Sequence, residues 1–270
     1  SGGQSSMYEV RKMKKRFGWA LSVVMLLCLF VVLGAGAEEK SIVAQGSCGA
    51  QGDNLTWTLD GEGTLTISGE GEMRNYYYVT SETTPWRSYF SDIKCLVVEE
   101  GVTSIGERAL ANCSLLTSAV LPEGVTSIGS DAFWACRRLM SVNIPTSVTS
   151  IGWSAFSGCS ALTSVSIPEG VTNIGKSAFS GCSALTNVSI SKGVPIISEN
   201  MFWGCESLTN VNIPEGVISI GMSAFSGCNA LTNVSIPASV MSIGDYAFYD
   251  CIALTSMSIP KGVTSIGDAV

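Results

Sequence analysis

The stretch "GCSALTSVSIPEGVTNIGKSAFSGCSALTNVSI", Gly158–Ile190, states a pattern and then begins it again. Cys159 and Cys182 lie 23 residues apart, as do Phe156 and Phe179, Ile151 and Ile174, and Val165 and Val188. The step holds on either side of this stretch. Ile-Gly recurs at Ile105, Ile128, Ile151, Ile174, Ile220, Ile243 and Ile266, with Ile197-Ser198 in the one gap. Cys113, Cys136, Cys159, Cys182, Cys205, Cys228 and Cys251 keep the same spacing without an insertion. Such uniformity means that each unit makes one coil and stacks on the last, because no coil can bury its apolar residues alone.

Within a unit the period changes. "LTSVSI" (162–167) alternates as a short strand, with Leu162, Val165 and Ile167 inward and Ser164 and Ser166 outward. Pro168 ends that strand, Val171 and Ile174 form a second apolar pair, and Gly175 permits a sharp turn. Ala178, Phe179, Cys182 and Leu185 follow the rhythm of a helical turn. The prediction is a β-rich α/β solenoid: a right-handed stack of coils with a parallel sheet and short helical turns. Eight 23-residue units fill 93–270, the last truncated. With strands ~4.8 Å apart they make a rod on the order of 35–40 Å long. Residues 38–92 do not keep the period. "LTWTLDGEGTLTIS" (55–68) alternates on both sides of Asp60-Gly61-Glu62-Gly63, a hairpin signal, and predicts an N-terminal β-hairpin cap over the first coil's core edge.

The amino terminus reads differently. Arg11, Lys12, Lys14, Lys15 and Arg16 precede the apolar run "FGWALSVVMLLCLFVVLG" and Ala35-Gly36-Ala37. That order reads as a secretory signal over 1–37, with residues 1–6 as leading sequence, and an uncleaved membrane anchor as the alternative. Removal of 1–37 leaves 10 basic and 21 acidic groups, a net charge of −11. Such a surface repels phosphate backbones and argues against nucleic-acid partners.

The unit L-x-x-V-x-I-P-x-x-V-x-x-I-G-x-x-A-F-x-x-C-x-x resembles the leucine-rich repeats of the BspA-like family of bacterial surface proteins, over Ile93–Val270. "NLTWTLDGEGTLTISGEGEM" is similar to the segment that precedes such repeats in secreted members. Gly170 and its equivalents stand where general leucine-rich repeats carry an asparagine, so a regular asparagine-supported horseshoe is not implied. The resemblance implies a secreted or cell-surface chain that mediates adhesion to extracellular or host-surface proteins or glycans. It transfers no partner.

Chemistry has little to work with. The chain has no histidine, which excludes serine–histidine and cysteine–histidine devices. "SDIK" (91–94) and "SISK" (189–192) lack the companion elements of an S-x-x-K enzyme. Glu100 and Glu123 share a slot in adjacent coils and read as solvated edge charges rather than as a carboxylate pair. The repeat cysteines have parallel Cβ vectors, so they read as buried thiols in one core slot. A bridge between Cys48 and Cys95 stays open as an alternative. Ligands 23 apart on parallel vectors do not converge on a metal, and no cofactor is expected.

Surfaces remain. The outward sheet positions Asn143, Ser166, Asn187 and Ser189, then Asn210, Asn212, Asn233 and Ser235, form an uncharged field of hydroxyl and amide groups. This is either a docking face or plain solvated sheet. Trp134, Trp153, Trp203 and Tyr249, with Tyr246, replace small or polar residues on the turns and are candidate aromatic anchors. Local packing of the turns is the competing account. Ser191, Pro195 and Ser198 break the repeat in one coil and read as a local bend. The sequence thus points to a non-catalytic adhesive solenoid, with a rigid spacer presenting a C-terminal domain beyond Val270 as the alternative.

Overall fold

The computed structural model describes residues 41–77 and 83–270; the segment read as a signal lies outside the described residues. The described residues open with three antiparallel strands, β1 (Ile42–Gly49), β2 (Gly52–Asp60) and β3 (Thr64–Gly69). Leu59 pairs with Leu65 across the expected Asp60-Gly61-Glu62-Gly63 hairpin. The Asp60 carboxylate accepts from the Glu62 and Thr64 amides and fixes that turn. β3 then turns its free edge to β5 (Cys95–Val98) in parallel register, while β4 (Gly71–Glu72) does the same for β6 (Val102–Ile105). The cap therefore supplies the first rung of both solenoid sheets. Trp86 is fully buried beneath it and donates its indole N–H to the Ala109 carbonyl of the first coil.

Successive coils extend two parallel ladders. The first runs through Cys95–Val98, Ser118–Val120 and Ser141–Val142, then Ser164–Ser166, Asn187–Ser189, Asn210–Asn212 and Asn233–Ser235. The second runs through the two-residue strands that end in Ile128, Ile151, Ile174, Ile197, Ile220, Ile243 and Ile266. Every partner is 23 residues away, as the period requires.

Between the ladders lies one core. Phe133, Phe156, Phe179, Phe202, Phe225 and Phe248 stack face to face, with centroids 5.1–5.8 Å apart and planes within 14°. At these separations nearly parallel rings are offset, the favourable arrangement for stacked π systems. Phe156 and Phe179 share one core, so the stack is the folding unit. The ladder cysteines are buried free thiols. Each Sγ from Cys136 onward donates to a main-chain carbonyl 26 residues earlier, as Cys159 does to Phe133 at 3.2 Å and Cys182 to Phe156 at 3.3 Å. A thiol thus fills the slot and ties two coils. Cys48 is also free and buried, so the Cys48–Cys95 bridge is not formed.

The third side of each coil differs from expectation. The residues read as helical turns form no helix; among the described residues a three-residue 3-10 turn, Arg87–Tyr89 in the cap, is the whole helical content. The cause lies in the backbone. Ser154, Ser177, Asn200 and Ser223 have φ between 51° and 57°, and four residues later Gly158, Gly181, Gly204 and Gly227 are also left-handed. Two left-handed residues per coil prevent helix propagation. They also rotate alternate peptides along the stack, so that Ser154, Phe156 and Gly158 donate to Lys176, Ala178 and Ser180 of the next coil. The coils are hydrogen-bonded to one another on all three sides.

Each ladder has one interruption. In the first it follows Val142, where the Asn143 side chain grips Leu121, accepting from its amide at 3.2 Å and donating to its carbonyl at 2.9 Å. In the second it lies between Asn173–Ile174 and Ile196–Ile197. Pro195 has no N–H to give to Thr172, the bond that Thr172 itself makes to Thr149. Ser198 occupies the glycine slot. At Gly175 an added Cβ would lie 2.4 Å from the Trp153 nitrogen, so coils at this corner touch backbone to backbone. Ser198 cannot approach so closely, and its hydroxyl, not its amide, bonds the Ile174 carbonyl. The Phe179–Phe202 spacing, 5.8 Å, is the widest in the stack.

Candidate functional site

The predicted sheet face is real as geometry. Asn187, Asn210 and Asn233 align in parallel register, as do Ser166, Ser189, Asn212 and Ser235, and all are exposed. Asn143 stands apart: it is half-buried and committed to Leu121. The flanking threonines donate their hydroxyls along the stack, Thr186 to Thr163 and Thr232 to Thr209, leaving lone pairs outward. The carboxylate of Glu123 is held by Thr146 through its hydroxyl at 2.9 Å, so it makes no pair with Glu100.

The aromatic candidates separate. Trp134 and Trp153 stand alone, in different slots, and Trp153 is 62% exposed. Trp203 and Tyr249 come together. They occupy one slot two coils apart and wall a groove whose floor is Gly204, Ser226 and Gly227 and whose rim includes Glu206, Asn229 and Asp250. Tyr246 packs edge-on against Tyr249, with centroids 5.6 Å apart and planes at 84°. The rim residues escaped the sequence reading because none recurs with the period; comparing each slot from coil to coil would have exposed them. The same comparison reveals two exposed apolar residues in one slot, Ile218 and Met241, with exposed Ile196 in the neighbouring slot of the coil before them.

The buried thiols offer no reactive group. Burial pushes Cys48 and Cys182 up to about 12 and Cys251 up to about 11, and holds Cys113, Cys159 and Cys205 well above the ordinary thiol range. Among the described residues no group of His, Cys, Asp or Glu is arranged to hold a metal, and no helix is long and apolar enough to cross a membrane.

Six copies of the BspA type leucine rich repeat region match residues 88–209 and 195–270. The chain belongs to the BspA-type leucine-rich repeat family. This is a family of surface-type proteins. Among solved structures, the leucine-rich repeat protein of T. pallidum is similar at 27% identity with a TM-score of 0.53, covering 68% of this chain and 90% of that one. A leucine-rich repeat protein from Eubacterium ventriosum is 21% identical with a TM-score of 0.38, covering 84% and 94%. A leucine rich cell surface protein from Faecalibacterium prausnitzii is 21% identical with a TM-score of 0.35, covering 80% and 93%. No curated protein matches the chain.

Proposed function

We propose that this chain is a secreted or cell-surface binding protein that adheres to extracellular proteins or glycans through the outer surface of its solenoid, without catalysis. One contrast carries the reading. The core slot holds Phe179, Phe202, Phe225 and Phe248 in turn, whereas the adjacent slot alternates half-buried Ser180, exposed Trp203, buried Ser226 and exposed Tyr249. Packing explains uniformity inside; exposed aromatics against a background of serine are what a docking surface needs. The family supports the same reading, since its members are surface-type proteins. Capture of matrix proteins or host-cell surface material above the level of an unrelated acidic protein tests it; equal capture by both overturns it. The stacked core also supports a second role as a rigid spacer, and failure of the solenoid to capture more than the control would favour that role.

A further inference from the structure

We propose that the groove between Trp203 and Tyr249 binds a neutral glycan chain, an inference that rests on the adhesive reading and names its ligand class. Equivalent positions of stacked coils lie ~4.8 Å apart, so the two ring slots stand ~10 Å apart with the buried Ser226 between them. Because Gly204 and Gly227 run along the floor, no side chain fills the space, which amounts to about 510 Å³. That is the size of a small-ligand site.

Tyr246 has φ 56°, in the left-handed region, where a bulky residue is strained. Every coil is left-handed at this slot, through Arg108, Asp131, Ser154, Ser177, Asn200 and Ser223, so the φ belongs to the repeat and the choice of tyrosine does not. Nothing in the stack requires a tyrosine at this slot. Its ring instead packs edge-on against Tyr249.

The lining selects the ligand. Glu206 and Asp250 accept hydrogen bonds, Ser183 and Asn229 both donate and accept, and no cation lines the groove. Two carboxylates repel phosphate, sulfate and acidic sugars. A pyranose ring matches the rest: its C–H face packs on the electron-rich face of an aromatic ring, and its rim of hydroxyls donates and accepts in turn. A basic peptide would also satisfy the carboxylates, and its backbone carbonyls would accept from Ser183 and Asn229, so it enters the test as the competing ligand.

The test uses the full chain on immobilised neutral linear hexasaccharides (β-linked glucan, mannan and galactan), beside a sulfated hexasaccharide and an arginine-rich peptide. At least one neutral hexasaccharide binds, and Trp203→Ala and Tyr249→Ala each weaken it about tenfold or more, the loss typical of an aromatic anchor. Trp153→Ala leaves binding unchanged. Ser226→Trp fills the groove and abolishes binding without loss of melting temperature, because the same slot already holds Trp134 and Trp203. Tyr246→Asn raises the melting temperature yet weakens binding, a split that a purely structural residue would not produce. Undiminished glycan binding by Ser226→Trp, or preference for the peptide or the sulfated sugar, overturns the proposal. Capture of matrix protein with no neutral glycan bound defeats the glycan site and spares the adhesive reading; failure of both defeats both.

Discussion

The coil through Gly175 and the coil through Ser198 share their interior and differ at one corner. Both contribute a phenylalanine to the stack, a buried thiol and an inward isoleucine. At the turns between them the bonds are intact: Ser177, Phe179 and Gly181 donate to Glu199, Met201 and Trp203. At the second ladder they part, because Pro195 lacks a donor and Ser198 carries a side chain where glycine is needed. Core continuity and sheet continuity are therefore separable. The interruptions also fall in different places, after Val142 in one ladder and after Ile174 in the other, so no plane through the rod is cut twice.

The largest predicted effect tests whether the core ignores the interruption. Burial raises both Cys182, before it, and Cys205, after it, above the ordinary thiol range. A raised folded-state value means that the unfolded chain loses its proton first as pH rises, so stability is intact below pH 9 and falls from there toward about 12. Each such thiol therefore destabilises the fold progressively above pH 9, and the ladder thiols all act in the same direction. Alkaline unfolding followed by circular dichroism should be a single transition above pH 9. Two separate transitions would mean that the interruption divides the stack into independent halves.

Next in size is Gly175→Ala. Its Cβ would meet the Trp153 nitrogen at 2.4 Å and the Gly152 carbonyl carbon at 2.7 Å, backbone atoms that cannot swing away. We expect a loss of about 3 kcal/mol or more in urea denaturation. Ser198→Ala, in the same slot of the parted coil, should cost about 1 kcal/mol, the worth of its hydroxyl bond. Equal costs at the two positions would contradict the account of the corner. The converse change, Pro195→Thr with Ser198→Gly, should close the ladder and add about 1 kcal/mol. The amide introduced at position 195 should exchange slowly, and exchange at position 198 should slow with it; fast exchange there would show that something else keeps the coils apart.

The comparison also shows what a single sequence could disclose. The coil, its inward residues and the parting at Ser191–Ser198 were legible, because burial enforces one residue type per slot and a defect stands out against a period. The turns were misread as helical because Ala178, Phe179 and Cys182 have helical spacing whether or not Ser177 and Gly181 are left-handed. Spacing records which side chains face inward and says nothing of the sign of φ between them. Asn143 was read as an outward-facing docking residue; that its amide instead closes on Leu121 depends on a contact 22 residues away. The groove was half legible: its walls broke a run of serines, but its rim residues, Glu206 and Asp250, look like ordinary surface charges until the coils are stacked.

The smallest effect concerns the ion pair that crosses the parted corner. Lys176 meets Glu199 at 2.7 Å, and the lysine side chain is 64% exposed. Water and salt screen such a pair, and ordering a long side chain opposes it, so pairs of this kind contribute between about 0 and 1 kcal/mol. If the coils on either side of Ser198 are joined by their core and turns, Lys176→Ala should change stability by no more than about 0.5 kcal/mol, and less in 0.5 M salt. If the pair were instead what holds the open corner together, its removal would cost more than the Ser198→Ala change and would speed exchange at Ile197. The ring stack makes the first outcome the expected one. Phe179 and Phe202 remain within 10° of parallel at a corner where the sheet has already let go, and an exposed lysine more than 20 residues from its partner has no part in aligning them.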